Sequence, residues 1–449
     1  MRLLVILSIL VIAALMSAGC RGVTATGETQ ARHDLSAVAS QYRSTNSTLT
    51  LPALTADASL SNLVEYAVLN SPAVETAFND WSASVENITI TRSLPDPQLT
   101  LQAYIQDVIT SLMPGFAWSF PGPGKLAARA GVATAESREK YFAFQSAVLQ
   151  AAVNLKRAYY QLGWLEEQGR LKAQMCGLLE HQEHVLNAQT VTGATTLSES
   201  LRVQGELDRT RNELANLENS RRPALENFKA ALGITPDQPD PPTPQKFEPG
   251  GEIVDADQLL KAAFANNPQL AAMAADVRVA EAGIAVAYKE RVPDFSLALM
   301  ADVKASPVLF WPQSSMSLPI WRDKLAAEVA QAEANELAAK SRLKAAQIDL
   351  AVNFAEKLFT CRETARNLAL IEGHLIPQAT QSLAITRADY RTGAADFSGL
   401  TAAEWTLLGL TLQAAEARTD HEIAVAELTL TIAGIPPAGA PLLANTHQP

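Results

Sequence analysis

The chain is poor in cysteine. Cys20, Cys176 and Cys361 are the only three, too few and too scattered to make a disulfide framework. The last two fall inside helical patterns at non-equivalent places, which points to isolated buried thiols. Charge is also sparse, at 18% of residues, with a net value of −11 and no cluster of Lys and Arg. Phosphate binding needs concentrated positive charge, so no nucleic-acid partner is expected. Phosphate loops, nucleophile elbows and metalloprotease motifs are absent, and the few histidines have no triad around them. Neither an enzyme nor a cofactor is expected.

What fills the chain is alanine and leucine within a 48% hydrophobic composition. Both residues lose little on helix formation, and together they suit long helices packed along their length. From Lys125 to about Gln189 there are 65 residues without proline, which at about 1.5 Å per residue would extend roughly 100 Å. A second proline-free stretch runs from Lys324 to Leu375, ending at Pro377. Helices of that length need lateral partners, since the average globular helix has about 11–12 residues. Ile348, Val352, Ala355 and Phe359 follow knob spacing, as do Leu407, Leu410, Ala414 and Ala417. Such stripes are expected to be core.

The amino terminus, "MRLLVILSILVIAALMSAGC", has one early basic residue, an apolar stretch from Leu3 to Met16, and small residues before Cys20. This is the layout of an export signal. It resembles the bacterial lipoprotein signal, which implies residues 1–19 as signal peptide and lipidation at Cys20. Arg21 after the cysteine is compatible with sorting to the outer membrane. Acyl chains hold a protein on a membrane without a spanning helix, at about 0.8 kcal/mol per buried methylene.

Most of the remaining sequence is written twice. Pro72 and Pro268 are 196 residues apart, Pro95 and Pro293 198, Lys125 and Lys324 199, Gly193 and Gly393 200, and Gly233 and Gly434 201. Five landmarks that drift so little mark an internal duplication. The expected organisation is a leader at 20–57, a first repeat at 58–235, a Pro-rich linker at 236–252, a second repeat at 253–435 and a tail at 436–449. Each repeat reads as a helix of about thirty residues, two short alternating segments, a very long helix, a Thr-Gly interruption and a further helix.

In the alternating segments Leu99, Leu101, Ala103 and Ile105 stand against Thr100, Gln102, Tyr104 and Gln106. The second copy has Leu297, Leu299, Ala301 and Val303, then a loop containing Pro307, Trp311 and Pro312, then Met316, Leu318 and Ile320. A period of two sends side chains to opposite faces of a sheet, as a barrel with lipid outside and water inside requires. A small hairpin closing a helical bundle is the alternative.

With "VEYAVLNSPAV", "KAAFANNPQL", "LPIW" before "RDKLAAEVAQAEAN", and the paired "TG" sites, the sequence resembles the outer-membrane channel-tunnel family of Gram-negative bacteria. The resemblance covers about Leu60 to Ile435. It implies a mainly α fold with a small β part, in which a homotrimer forms a twelve-stranded transmembrane β-barrel, four strands from each chain. That barrel continues as an α-barrel of duplicated coiled-coil helices across the periplasm. The implied role is the passive exit duct of a tripartite efflux system, set in outer-membrane lipid and working with a periplasmic adaptor protein and an inner-membrane pump. A type I protein secretion duct and a structural coiled-coil lipoprotein without a pore are the alternatives.

By resemblance the two Thr-Gly turns form the periplasmic tip. Gly193, Leu197, Leu201, Tyr390, Gly393 and Phe397 then shape the adaptor grooves, and Arg387, Asp389, Arg391 and Asp396 are candidate restraints on the aperture. Thr192, Thr195 and Thr392 are candidate helix caps there. His181 and His184 stand three apart on one helix face beside Glu180 and Glu183, and some relatives in the resembled family serve metal-ion efflux. Two helix-borne histidines without further ligands more often face solvent, so no metal site is assigned to them.

Overall fold

The computed structural model describes residues 27–42, 51–105, 109–193, 195–244 and 256–432; the signal segment, Cys20 and the C-terminal tail lie outside them. Where the sequence predicts an extended leader, residues 28–42 instead form a helix, α1 (Glu28–Tyr42). Its amphipathic pattern is weak, and side-chain pairing holds it in place. Glu28, only 1% exposed, accepts from Arg92 Nε at 2.6 Å and from Thr89 Oγ1 at 2.7 Å, while Arg32 forks onto Glu86 at 2.8 and 2.9 Å. A buried carboxylate is tolerated because these donors replace its water.

The thirty-residue helix expected at the start of each repeat is in fact two. In the first repeat α2 (Leu60–Asn70) stops before α3 (Pro72–Arg92). Pro72 lacks an amide donor and disfavours helical angles in the residue before it, so Ser71 is extended, with φ −70° and ψ 121°. The strands β1 (Gln98–Ile105) and β2 (Ile109–Phe120) follow, then α4 (Lys125–Val191) and α5 (Leu197–Ala231). The second repeat has the same order: α6 (Ala256–Asn266), α7 (Pro268–Lys289), β3 (Phe295–Asp302), β4 (Leu309–Met316), α8 (Arg322–Leu370), α9 (Ile376–Thr392) and α10 (Phe397–Ile432).

Pro377 does not end the long helix of the second repeat. A single π-helical turn, Ile371–Leu375, joins α8 to α9, with the Ile376 amide donating to the Ile371 carbonyl. The wider turn absorbs the donor that Pro377 lacks, so the helix passes the proline.

The duplication is visible in hydrogen bonds as well as in order. Asn70 Nδ2 donates to the Leu232 carbonyl at 3.0 Å, and Asn267 Nδ2 to the Thr431 carbonyl at 2.9 Å. In both repeats an amide side chain at the helix break therefore ties down the last turn of the final helix. Gly233, just past α5, has φ +73°, and a Cβ there would lie 2.4 Å from the Asn70 carbonyl oxygen. Backbone angle and space both demand glycine.

The chain forms two compact units. One comprises the described residues within 1–39, 79–142 and 271–344, and contains the sheet. Its core includes Trp81 against Tyr141, ring centres 4.9 Å apart, with Val85, Ile88 and Ala130 buried. The other comprises the described residues within 40–78, 143–270 and 345–449. There Tyr42, Phe78 and Phe144 form a triangle with sides of 5.2, 5.8 and 5.9 Å, and Leu155, Tyr159, Leu162 and Phe228 are fully buried. Glu427 of α10 ties three helices in this unit, accepting from Arg157 of α4 at 2.5 Å and from Lys357 of α8.

One expected core stripe is not core within the chain. Leu337, Ile348, Phe359 and Leu370 are all more than half exposed along α8, and so is Val352. The four recur every eleven residues, three helical turns at about 3.67 residues each, so they trace one line that no part of the described chain covers. The α10 stripe is half-buried, with Ala414 fully so.

Cys176 and Cys361 are both free thiols and both buried, and burial pushes each thiol above its ordinary pKa.

Two stability measurements test these ties. Replacing Gly233 with Ala should cost about 2–3 kcal/mol through strain and collision, against about 1 kcal/mol for Gly193→Ala, which shares the positive φ but has open space around it. Thermal melts followed by far-ultraviolet circular dichroism in detergent would rank the two. Burial pushes the Glu427 carboxyl up, but hydrogen bonds and charge from Lys357 and Arg157 outweigh this and hold it below its ordinary value of 4.5. A depressed folded pKa means its stabilisation is complete above that value and fades as pH falls through the lower folded one. Glu427→Gln should therefore melt earlier than wild type at neutral pH, and the gap should narrow as pH falls below 4.5.

Candidate functional site

The four strands make one antiparallel sheet in the order β1-β2-β3-β4. Its register puts Leu99 opposite Phe116, Phe116 opposite Leu299 and Leu299 opposite Pro312, so these four share a face. Leu101, Trp118, Leu297, Phe120, Phe295 and Met316 lie on that same face. The opposite face mixes Thr100, Gln102, Ser111, Ser119, Ser296, Ser315 and Asp302 with Met113, Met300, Leu309 and Trp311. It is bonded within itself: Ser111 Oγ donates to Asp302 at 2.7 Å, and Ser296 and Ser315 share a hydroxyl bond of 2.6 Å.

Neither face is covered by the described residues. Leu99 and Leu101 are 73% and 70% exposed, and every residue of β4 is exposed. A hairpin closing a helical bundle would bury its apolar side against the helices, and this sheet does not. At about 3.3 Å per residue the eight residues of β1, β3 and β4 reach about 26 Å, close to the ~25 Å apolar band of outer-membrane barrels. Aromatic side chains stand at both ends of the apolar face, Trp118, Phe120 and Phe295 at the helix end and Phe310 at the other. Among the described residues no helix is long and apolar enough to cross a membrane.

The loop expected around Pro307, Trp311 and Pro312 is instead mostly strand, with Trp311 and Pro312 inside β4. Proline is acceptable there because β4 is an edge and one side of it donates to nothing among the described residues. Leu318 and Ile320, expected to continue the strand, fall beyond its end. Pro114 in β2 sits between Leu112, whose carbonyl accepts from the Val303 amide at 3.0 Å, and Gly115, where the ladder with β3 starts. At Gly115 a Cβ would meet Met300 Cγ at 2.5 Å, so glycine keeps β2 and β3 in contact.

At the helix end of the sheet a buried ion cluster fastens β2–α4 to α7–β3. Lys125, 3% exposed, donates to Glu290 Oε2 at 3.1 Å and to Asp294 at 3.0 Å. Arg129 adds a bond to Glu290 at 3.1 Å, and the Gly122 amide donates to Asp294 Oδ1 at 2.7 Å. Burial pulls the Lys125 ammonium down, yet hydrogen bonds to Asp294 and Glu290 outweigh it and its pKa is raised. The sequence marked Lys125 as a repeat landmark and gave no sign of its partners.

The second unit holds the two Thr-Gly turns. Gly193 and Gly393 adopt φ +70° and +78°, the left-handed conformation that ends a helix. The next helices are capped by Thr196, which accepts from the Glu199 amide at 3.3 Å, and by Asp396, which accepts from the Gly399 amide at 2.8 Å. These two caps, 200 residues apart, correct the expected ones: Thr192 and Thr392 donate back to carbonyls of the preceding turn. Asp396, expected as an aperture restraint, thus has a capping bond, and Arg387 pairs with Glu404 at 2.8 Å. Asp389 and Arg391 are exposed.

Leu197, Leu201 and Tyr390 are exposed apolar side chains at these turns, and Val191, which the sequence reading passed over, is 89% exposed. Phe397 is half-buried, its ring 5.4 Å from His181 and 6.2 Å from Tyr390. His181 therefore packs edge-on against an aromatic ring, and no third His, Cys, Asp or Glu joins it and His184 in a metal-binding group among the described residues. Behind the turns Cys176, Leu179, Leu186, Val203 and Leu207 form a buried cluster with Trp405 of α10 packed against it.

Residues 259–434 match the family model described as outer membrane efflux protein. None of the curated proteins compared matches the chain. Among solved structures, the open state of the Neisseria gonorrhoeae MtrE outer membrane channel superposes with a TM-score of 0.70 at 16% identity, covering 84% of this chain and 90% of that one. The Campylobacter jejuni CmeC outer membrane channel gives 0.70 at 12% identity, with 87% and 90% covered. The outer membrane protein VceC of Vibrio cholerae gives 0.67 at 17% identity, with 84% and 97% covered. The second repeat thus resembles the outer membrane efflux protein family in sequence, and the chain shares the fold of these outer membrane channels over more than four fifths of its length.

Proposed function

We propose that three copies of this chain form the outer-membrane exit duct of a tripartite efflux system, passively conducting substrates that an inner-membrane pump and a periplasmic adaptor deliver. The observation that carries this is a sheet with one apolar face, one face that gathers its serine, threonine and acidic side chains, and two edges, all left uncovered by the described residues. Four strands cannot close a barrel, for which about eight is the minimum, and an open edge cannot stand in hydrocarbon. Three copies bring twelve strands. The exposed eleven-residue line on α8 is the matching surface for a second copy among the helices.

No chemistry is asked of the chain, as befits a family of channels and not of enzymes. The apolar face of the sheet meets lipid and the serine-lined face meets water. At the tip, Gly193, Leu197, Leu201, Tyr390, Gly393 and Phe397 shape the adaptor site, with Val191 beside them. The Arg387–Glu404 pair, together with Asp389 and Arg391, restrains the aperture, and Asp396 contributes by fixing the start of α10.

The localisation proposed is the Gram-negative outer membrane with lipid on Cys20. Glu28 supports it. That residue is bonded to Arg92, six residues before β1 begins. The eight residues from Cys20 to Glu28 can span up to about 28 Å, enough for an anchor beside the barrel. A secretion duct would share every feature of the sheet; the pump that co-purifies with the chain distinguishes it, an ATP-driven exporter for secretion and a proton-driven pump for efflux.

Purified protein in planar bilayers should show steady conductance, raised in Asp389→Ala and Arg391→Ala variants; silence from all three would favour a scaffold without a pore. Cys20→Ser should abolish incorporation of radiolabelled palmitate while leaving bilayer conductance unchanged, and palmitate retained in that variant would overturn the anchor.

A further inference from the structure

Lys125 and Lys324 occupy matching places, 199 residues apart, at the start of the long helix in each repeat. Their surroundings differ sharply. Lys125 is 3% exposed between Glu290 and Asp294, whereas the Lys324 side chain is 70% exposed and among the described residues reaches only Glu328, one turn along its own helix, at 3.6 Å. The counterpart of Asp294 is Asp96, 198 residues earlier, directly after Pro95 as Asp294 follows Pro293. Asp96 is exposed and makes no ion pair among the described residues.

The seams of the sheet explain the difference. Within a copy, the first repeat's outgoing strand β2 lies beside the second repeat's incoming strand β3, and this brings Lys125 to Asp294. In a ring of copies, which rests on the reading under Proposed function, the outgoing strand β4 lies beside the incoming β1 of the next copy. Displaced by 198 residues, the β2–β3 register places Ser314 opposite Leu101 and Met316 opposite Leu99. That register keeps the apolar face continuous, because Met316 and Leu99 both belong to it.

We infer that Lys324 of one copy pairs with Asp96 of the next, repeating between copies the contact that Lys125 makes with Asp294 inside one. The pair closes the barrel at its helix end, and the exposed Leu94, Leu318, Ile320 and Trp321 around it become the seam's apolar packing. The carry-over is of the side-chain pair alone. Gly122, whose amide also holds Asp294, has Trp321 as its counterpart, and α8 starts two residues before its lysine where α4 starts on it.

Charge reversal tests the pair in the full, detergent-purified protein. Asp96→Lys and Lys324→Asp should each speed dissociation of the trimer on the order of 30-fold, the loss expected when one partner of a desolvated pair is removed. The double swap should return it to near the wild-type rate. Asp96→Asn and Lys324→Gln give the same direction with less risk to folding, and a melt of the helices by circular dichroism should be unchanged in all of them. Single variants that dissociate like wild type, or a double swap no better than the singles, would overturn the pair and leave the three-copy duct standing. Wild-type protein that is monomeric would overturn both.

Discussion

If the sheet spans a membrane as proposed, backbone hydrogen bonding in hydrocarbon is the constraint on which this molecule depends. Amides and carbonyls at a sheet edge have no water to turn to inside a bilayer, and each unmet one costs several kcal/mol. The chain supplies a sheet with one apolar face and, among the described residues, leaves β1 and β4 unpaired on their outer sides. The same constraint explains Pro312 in β4 and the glycine at 115, one placed where an amide is expendable within the chain, the other where two backbones must meet. The helices are under no such demand, since their bonds are internal, and they meet their neighbours through side chains.

Much of this was legible in the sequence because it rests on periodicity. The alternation from Leu99 to Ile105 and from Leu297 to Ala301 gave β1 and β3 the correct faces, and the drift of repeat landmarks gave the element order. Proline misled three times, the first two for opposite reasons. At Pro72 and Pro268 it broke helices expected to be continuous, whereas at Pro377 a π turn carried the helix past it. Around Pro312 it suggested a loop, because a sequence does not announce which strand will be an edge.

What the sequence could not display were contacts between distant positions. Helix α1 has little helical patterning of its own and is held through Glu28, Arg32, Glu86 and Arg92, residues more than fifty positions apart across the pairs. The caps Thr196 and Asp396 were missed although they keep the repeat spacing, since nearby threonines, Thr195 one place and Thr392 four places away, offered similar chemistry. The stripe through Ile348 and Phe359 was expected to be core and is exposed; spacing tells that a helix face is apolar and not what covers it.

The duplicated architecture also bears on how such a ring comes together. Six repeat-to-repeat seams would surround a closed ring of three, and in three of them the two sides are joined by the linker after α5. Those seams form at the effective concentration set by a tether, on the order of millimolar, and so faster than any encounter between separate chains. Only the remaining three depend on how much protein the envelope contains. A gene encoding one repeat would need every seam to form by collision; two repeats in tandem halve the molecularity of the problem.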